Sequence, residues 1–239
     1  MLRFSKDSFF AFIGYVLKPA GKDTCLFLSF LFLLLFFLFS FLTYIDLFTR
    51  LDWWFLQTFQ EITPVEYDLF FSMLSVIGTF EIYTALAIIF FILGKKTIEA
   101  VYFFAVYGLG HIIEILGKTF IHHPAPPNEF LRFNLPFHLL SSGFHPGFAY
   151  PSGHSMRTVI FVLLGFWLVN RHIKSLGLRL VLLFFGLLYL LLVLYSRVSL
   201  AEHWFSDVVG GSLLGVSIAL LMLSVFDFYE KYPGYKVRR

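Results

Sequence analysis

Six apolar runs separated by polar segments set the pattern of the chain: 25–42, 69–93, 98–116, 155–169, 176–195 and 205–226. A helix needs about 20 mostly apolar residues to cross the hydrocarbon core of a bilayer, and each run reaches or opens a stretch of that kind. The first run (CLFLSFLFLLLFFLFSFL) is too long for a signal-peptide core, and no small-x-small cleavage site follows it, so it reads as a retained first span. Gly78 and Glu81 divide the second run. It reads either as one span or as a short interfacial helix followed by a span. The third run is unusual in carrying Glu99, His111 and Glu114. Residues 46–68 are acidic and aromatic, with Asp52, Asp68, Trp53 and Trp54 among them. They read as an interfacial connection with its tryptophans at headgroup level. Residues 118–153 read as a long loop containing Pro, Gly and His. The pattern predicts an all-α polytopic membrane protein with six transmembrane helices. It forms a single domain over 1–239, with a motif-bearing core at about 98–226.

Composition agrees with that class. Charged residues make up 14% and hydrophobic ones 59%, whereas soluble domains average about 25% charged. The net charge of +3 gives no reason to expect a nucleic-acid partner; membrane lipids are the expected ones. Cys25 is the single cysteine, which excludes an intramolecular disulfide and suggests no cysteine metal site. Placement of charge carries more information than its sum. The N-terminal segment, the Lys95/Lys96 turn, the turn with Arg171, Lys174 and Arg179, and the tail with Lys231, Lys236, Arg238 and Arg239 are all basic. Six spans put all four on one side, which the positive-inside rule makes cytoplasmic, together with both termini. Residues 46–68, 118–153 and 196–202 then face the outside or periplasm of the cell membrane.

Three polar clusters fall on that outer side. His203 and Asp207 are four apart, so on a helix they share a face about one turn apart. A carboxylate there holds one imidazole nitrogen and leaves the other free to attack or to take a proton. Arg197 precedes them with a planar donor fork suited to phosphate. A juxtamembrane salt-bridge cluster would look the same. The second cluster, Tyr150-Pro151-Ser152-Gly153-His154, lies where the loop becomes the fourth helix. Ser152 is either a plain N-cap or a phosphate donor, and Gly153 lets an oxyanion approach the helix N-terminus. In the third, Lys118 shares a helix face with His111 and Glu114, either as a phosphate ligand or as an interfacial lysine neutralised by Glu114. His122 and His123 follow, but adjacent residues point apart and no carboxylate is arranged around them in sequence, so no metal is expected. Gly211 and Gly215 read as a close helix contact.

Together these clusters resemble the type 2 phosphatidic acid phosphatase family, whose blocks are Lys-x6-Arg-Pro, Pro-Ser-Gly-His and Ser-Arg-x5-His-x3-Asp. The second is complete as Pro151-Ser152-Gly153-His154, and the third as Ser196-Arg197, VSLAE, His203, WFS and Asp207. The first keeps Lys118 and Pro126 but has Ala125 in place of arginine. The resemblance spans about Lys118 to Gly211. It implies a metal- and cofactor-independent lipid-phosphate phosphatase acting at the outer membrane face. His203 would be the nucleophile of a phosphohistidine intermediate, oriented by Asp207, with His154 as acid and then base. Lys118, Ser152, Gly153 and Arg197 would bind phosphate. The same blocks occur in soluble vanadate-dependent haloperoxidases, but six apolar spans argue against that branch. A phosphotransferase to an acceptor other than water remains an alternative. So does a non-catalytic lipid-phosphate binder or transporter, motivated by Ala125. Candidates for the missing cation are Arg132, the His122/His123 pair and Arg157. Arg157 is favoured because it shares the helix face of His154 and leans toward the helix N-terminus; a merely snorkelling Arg157 is the alternative. Phe130, Phe133, Phe137, Phe144 and Phe148 of the loop either dip into the interface or pack the loop.

Overall fold

A computed structural model describes residues 21–133, 135 and 147–231, with side chains to 226. Among these residues the chain is all-α. Its helices are α1 (Lys22–Tyr44), α2 (Thr49–Ile62), α3 (Asp68–Ile77), α4 (Phe80–Gly94), α5 (Thr97–Phe120), α6 (Gly153–His172), α7 (Leu176–Ser199) and α8 (Phe205–Lys231). Five of them, α1, α5, α6, α7 and α8, are long and apolar enough to cross a membrane. Residues Val65–Ile77 and Phe80–Gly94 form a pair bent by 46° at Gly78–Thr79. At one end of this pair Asp68 bonds Arg132 of the loop after α5. At the other, Phe91 packs on Phe103 in the first part of α5. Phe103 lies about 16 Å along α5 from Glu114, at 1.5 Å per residue. The bent pair therefore runs along α5 in the manner of one broken span, which brings the candidate spans to six.

The break also has a use. A helix interrupted inside a bilayer leaves backbone groups that must be satisfied within the protein. Thr79 turns its hydroxyl onto the Val76 carbonyl at 2.7 Å, and the Gly78 carbonyl accepts from Arg157 Nε at 3.3 Å.

The centre of the bundle is α8, which packs against α1, α2, α5 and α6. Apolar burial gives little preference for one helix over another in lipid, so small and hydroxyl side chains set the close contacts. Ser29 and Ser217 each donate to the other's backbone carbonyl, at 2.8 and 2.9 Å, and tie α1 to α8. A Cβ on Gly211 would collide with the Ser152 carbonyl, and one on Gly215 would come within 2.6 Å of the Met156 carbonyl. These two glycines let α8 lie directly against the start of α6. By contrast, α7 buries little and turns Phe184, Phe185 and Leu191 outward.

Several boundaries differ from the sequence reading. The 46–68 segment contains an amphipathic helix, α2, that buries Asp52 and Leu56 one turn apart. Trp53 is half-buried in this connection rather than free. It packs edge-on against Trp204 (5.0 Å) and Phe130 (5.6 Å), whereas Trp54 is exposed. Lys118, though it opens the stretch read as a loop, lies in the last turn of α5 as its shared helix face requires, and Ser196 and Arg197 lie in the last turn of α7 rather than in a turn. In each case packing at the helix end extends the helix beyond its apolar run. Phe130 and Phe148 pack the loop, on Trp53 and on His122; Phe137 and Phe144 lie outside the described residues.

Candidate active site

The ends of α5, α6, α7 and α8 meet, and the sequence blocks meet with them. Helix α7 closes on a tight turn in which Ala201 takes φ +57°, a left-handed conformation that costs a non-glycine residue about 1–2 kcal/mol. The turn lets the amides of Glu202 and His203 both donate to the Arg197 carbonyl at 3.1 Å, and so seats His203 directly after Arg197. At the start of α8, Asp207 accepts the Trp204 amide at 3.0 Å, the backward half of a capping box. The same oxygen lies 3.3 Å from His203 Nδ1. An ionised Asp207 places the imidazole proton on Nδ1 and leaves the Nε2 lone pair free.

Ser152 is the N-cap of α6, accepting from the Ser155 amide at 3.4 Å and the Ser155 hydroxyl at 3.0 Å. Both bonds are accepted, so its hydroxyl keeps its own proton to donate. Its amide donates to the Asp207 carbonyl at 3.0 Å, which ties the second block to the third. His154 follows in the first turn. Its Nε2 is buried with no hydrogen-bond partner among the described residues, and Arg197, Arg157, His203 and Lys118 all act on it electrostatically. A buried polar nitrogen of this kind calls for a ligand or a catalytic role.

Three cations lie within electrostatic range of His154, and two of them pair with Glu114. Lys118 Nζ lies 2.9 Å from Glu114 Oε1, and Arg157 Nη1 lies 3.5 Å from Oε2. His111 Nδ1 bonds Oε2 at 3.0 Å. The group stands over Gly153, where a Cβ would collide with Glu114 and meet Arg157 Nη1 at 2.8 Å. Arg197 is fully buried; it donates to Ser196 Oγ at 3.1 and 3.3 Å and pairs with Glu202. Arg132, the other candidate cation, is committed elsewhere. It grips Asp68 at 2.8 and 2.9 Å and donates to the carbonyls of Gln60 and Thr63, clamping the loop to α2 and α3. Ala125 is exposed on the loop.

Two members of the cluster, His123 and Asp52, take places in it that the sequence reading did not assign. His123 Nδ1 bonds the second Asp207 oxygen at 2.8 Å, and its Nε2 lies 3.6 Å from Asp52 Oδ2. Burial alone would lower the His123 pKa. Its contacts with Asp207 and Asp52 outweigh that and push it up to about 9, so the ring is an imidazolium. The histidine pair drew notice in the sequence, but its carboxylates come from α2 and α8, far away along the chain. Gly78 is a third case, since a Cβ there would meet the His154 ring at 3.2 Å. No group of three or more His, Cys, Asp or Glu residues suited to a metal ion occurs among the described residues.

Comparison by sequence with curated proteins finds no significant match. Among solved structures, the chain is similar to the first transmembrane PAP2 type phosphatidylglycerolphosphate phosphatase from Bacillus subtilis. The TM-score is 0.64 at 19% identity, covering 88% of this chain and 98% of that one. It is also similar to Aquifex aeolicus LpxE, with a TM-score of 0.50 at 20% identity, covering 72% and 92%. These likenesses carry the fold. The family model of the PAP2 superfamily matches residues 99–230, which hold all three motif blocks and more than half of the sequence. With its six spans and its blocks gathered at one end of the bundle, the chain is an integral membrane protein that belongs to the PAP2 superfamily.

Proposed function

We propose that the protein is a metal-independent lipid-phosphate phosphatase working through a phosphohistidine. One observation carries the reading: His203, held by Asp207, and the buried, unpartnered Nε2 of His154 share a site with Lys118, Arg157 and Arg197. His203 Nε2 attacks phosphorus as the bond to the lipid oxygen breaks, and His154 gives that oxygen a proton. The neutral His154 then takes a proton from water, whose oxygen displaces His203 and releases phosphate. Charge on the equatorial oxygens falls to Lys118, Arg157, Arg197, the Ser152 hydroxyl and the Gly153 amide. Glu114 and Glu202 pair with these cations in the structure, so a phosphate must win them from two carboxylates. The phosphoryl group brings the negative charge that a protonated His154 needs among three cations.

A lipid substrate is supported by an apolar groove of about 540 Å³ between α7 and α8. Its lining includes Leu191, Tyr195, Val198, Phe205, Val208 and Leu213. Phe205 and Val208 lie in the first turn of α8 with Asp207, so a tail lying in the groove would bring its headgroup to the level of the site. The test is phosphate release by purified protein from undecaprenyl diphosphate, phosphatidate, phosphatidylglycerophosphate and a lipid A analogue. Release from at least one lipid is expected, and it should persist in excess chelator. His123 is already held between two carboxylates and His122 packs at a tilt against Phe148, with ring centroids 4.7 Å apart, so the pair does not converge on an ion. Loss in chelator with recovery on adding a divalent ion would overturn the metal-independent scheme. Recovery of the phosphoryl group on an acceptor other than water would make the enzyme a transferase.

The site is proposed to face the outside or periplasm, with both termini cytoplasmic, because all four basic segments adjoin, along the chain, the span ends opposite the site. A cysteine at Asn128, in a chain with Cys25 replaced, should react with an impermeant reagent added to intact cells. Reaction only after the cytoplasmic side is opened would reverse this orientation.

A further inference from the structure

We infer that His123 and Asp52 are positioning residues for the reaction: His123 bridges Asp52 and Asp207, and the bridge fixes the carboxylate that orients His203. The inference rests on the phosphatase reading above.

The geometry is a continuous line of side chains from three parts of the fold. Asp52 on α2 is buried and held by Ser206, whose amide and hydroxyl both donate to it at 2.8 Å. His123 lies 3.6 Å from Asp52 and 2.8 Å from Asp207. Asp207 reaches His203 at 3.3 Å. An unrestrained aspartate would rotate and offer either oxygen to the nucleophile. Here each oxygen is assigned: Oδ1 takes His123, and Oδ2 takes His203 and the Trp204 amide.

The His123 ring is itself held in place. Its carbonyl accepts the Ala149 amide at 2.9 Å, and the next carbonyl, of Pro124, accepts Trp204 Nε1 at 2.7 Å. The groups around the ring are Asp52 from α2, Asp207 from α8, and the rings of Tyr150 and Trp204, each centred 6.4 Å away. Among the described residues two carboxylates and no second cation face it, which suits an imidazolium that donates from Nδ1 to Asp207 and pairs through Nε2 with Asp52. A histidine behind a catalytic aspartate fixes orientation and charge without touching substrate.

The charged bridge has a consequence for stability. His123 keeps its proton to about pH 9 in the fold, against 6.5 for an ordinary histidine. A raised pKa stabilises the fold fully below the ordinary value and loses that contribution as pH rises through the folded one. Unfolding of the wild type in detergent should therefore become easier between about pH 6.5 and pH 9, and His123→Gln should lack that dependence.

The decisive experiment measures kcat and KM for His123→Gln, Asp52→Asn, Asp207→Asn and the His123→Gln/Asp207→Asn pair. The substrate is the panel lipid that the wild type turns over best. Glutamine keeps one donor but no charge, and asparagine at 52 keeps an acceptor for the Ser206 amide. His123→Gln should lower kcat about 10–100-fold, the range seen for partners behind a functional histidine, with KM within about twofold. Asp52→Asn should lower kcat in the same direction. In the Asp207→Asn background, adding His123→Gln should cost no more than about twofold, because His123 acts through Asp207. An unchanged kcat, a loss carried by KM, or losses that multiply in the pair would overturn the inference. Should His123→Gln fail to fold, an unchanged kcat in Asp52→Asn would overturn it alone. If the wild type releases phosphate from no lipid, the phosphatase reading fails, and the pH dependence of unfolding still decides the bridge. If Asp207→Asn is impaired and His123→Gln is not, the bridge fails and the phosphatase reading stands.

Discussion

His203→Ala is expected to abolish phosphate release and to remove any acid-labile phosphoenzyme. Removing the nucleophile of a covalent mechanism costs on the order of 10⁴–10⁶ in kcat, which puts the variant at the level of background hydrolysis. His203 is the choice over His154 because its Nδ1 is held by a carboxylate at 3.3 Å, whereas the His154 Nε2 has no partner among the described residues. The substitution should leave the fold intact. Asp207 keeps the Trp204 amide and His123, so no buried charge is stranded. His154→Ala should also be severely slowed, by roughly 10²–10⁴ as for a lost general acid–base group. Its phosphoenzyme should form slowly and, once formed, decay slowly, because His154 serves both steps. A His203→Ala protein with full activity, or one that still forms an acid-labile phosphoenzyme, would end the phosphohistidine scheme.

Arg157→Ala should cost roughly 2–4 kcal/mol in kcat/KM, on the order of 10²–10³, the loss expected when one preorganised donor to the transition state is removed. Family members place an arginine where this chain has Ala125, and the cation count at the phosphate falls by one unless another residue supplies it. Arg157 stands at Gly153 and is aimed by the Gly78 carbonyl and by Glu114. An arginine inside a membrane span is costly and seldom kept without a partner. Its loss should not leave Glu114 unpaired, since Lys118 and His111 still hold that carboxylate. Arg132→Ala should behave differently: its guanidinium is used up by Asp68 and two carbonyls, so it should lower stability and leave kcat/KM near that of the wild type. Rescue of Arg157→Ala by Ala125→Arg would show that both positions serve one phosphate. If Arg132→Ala collapses while Arg157→Ala turns over normally, the loop supplies the cation instead.

How much of this was legible in the sequence depends on the range of each interaction. The apolar runs determined the spans, because a bilayer tests each run for length and hydropathy one helix at a time. The His203–Asp207 pair was legible because one helical turn separates the two residues. The face shared by His111, Glu114 and Lys118 was legible for the same reason, and the structure joins all three through the Glu114 carboxylate. The glycines of α8 announced a close contact, although only the structure names the Ser152 and Met156 carbonyls they meet.

Tertiary structure decided the rest. Asp52 looked like one of several acids in a connection. It became part of the site only when α2 buried it against Ser206 and His123. Gly78 looked like a flaw in a span. The broken helix instead brings its carbonyl to Arg157 and its bare Cα to His154. Ala125 could be seen to lack a cation, and the shared face with His154 already favoured Arg157, but only the structure shows that Asp68 holds Arg132 and Glu114 meets Arg157. Short-range patterns are written by helix geometry and by the solvent each residue meets, and both are local to the sequence. A buried charge is settled by whichever partner the packed helices bring within about 4 Å, where Coulomb attraction in a low dielectric repays its desolvation. Those partners come from separate helices, and no spacing along the chain records them.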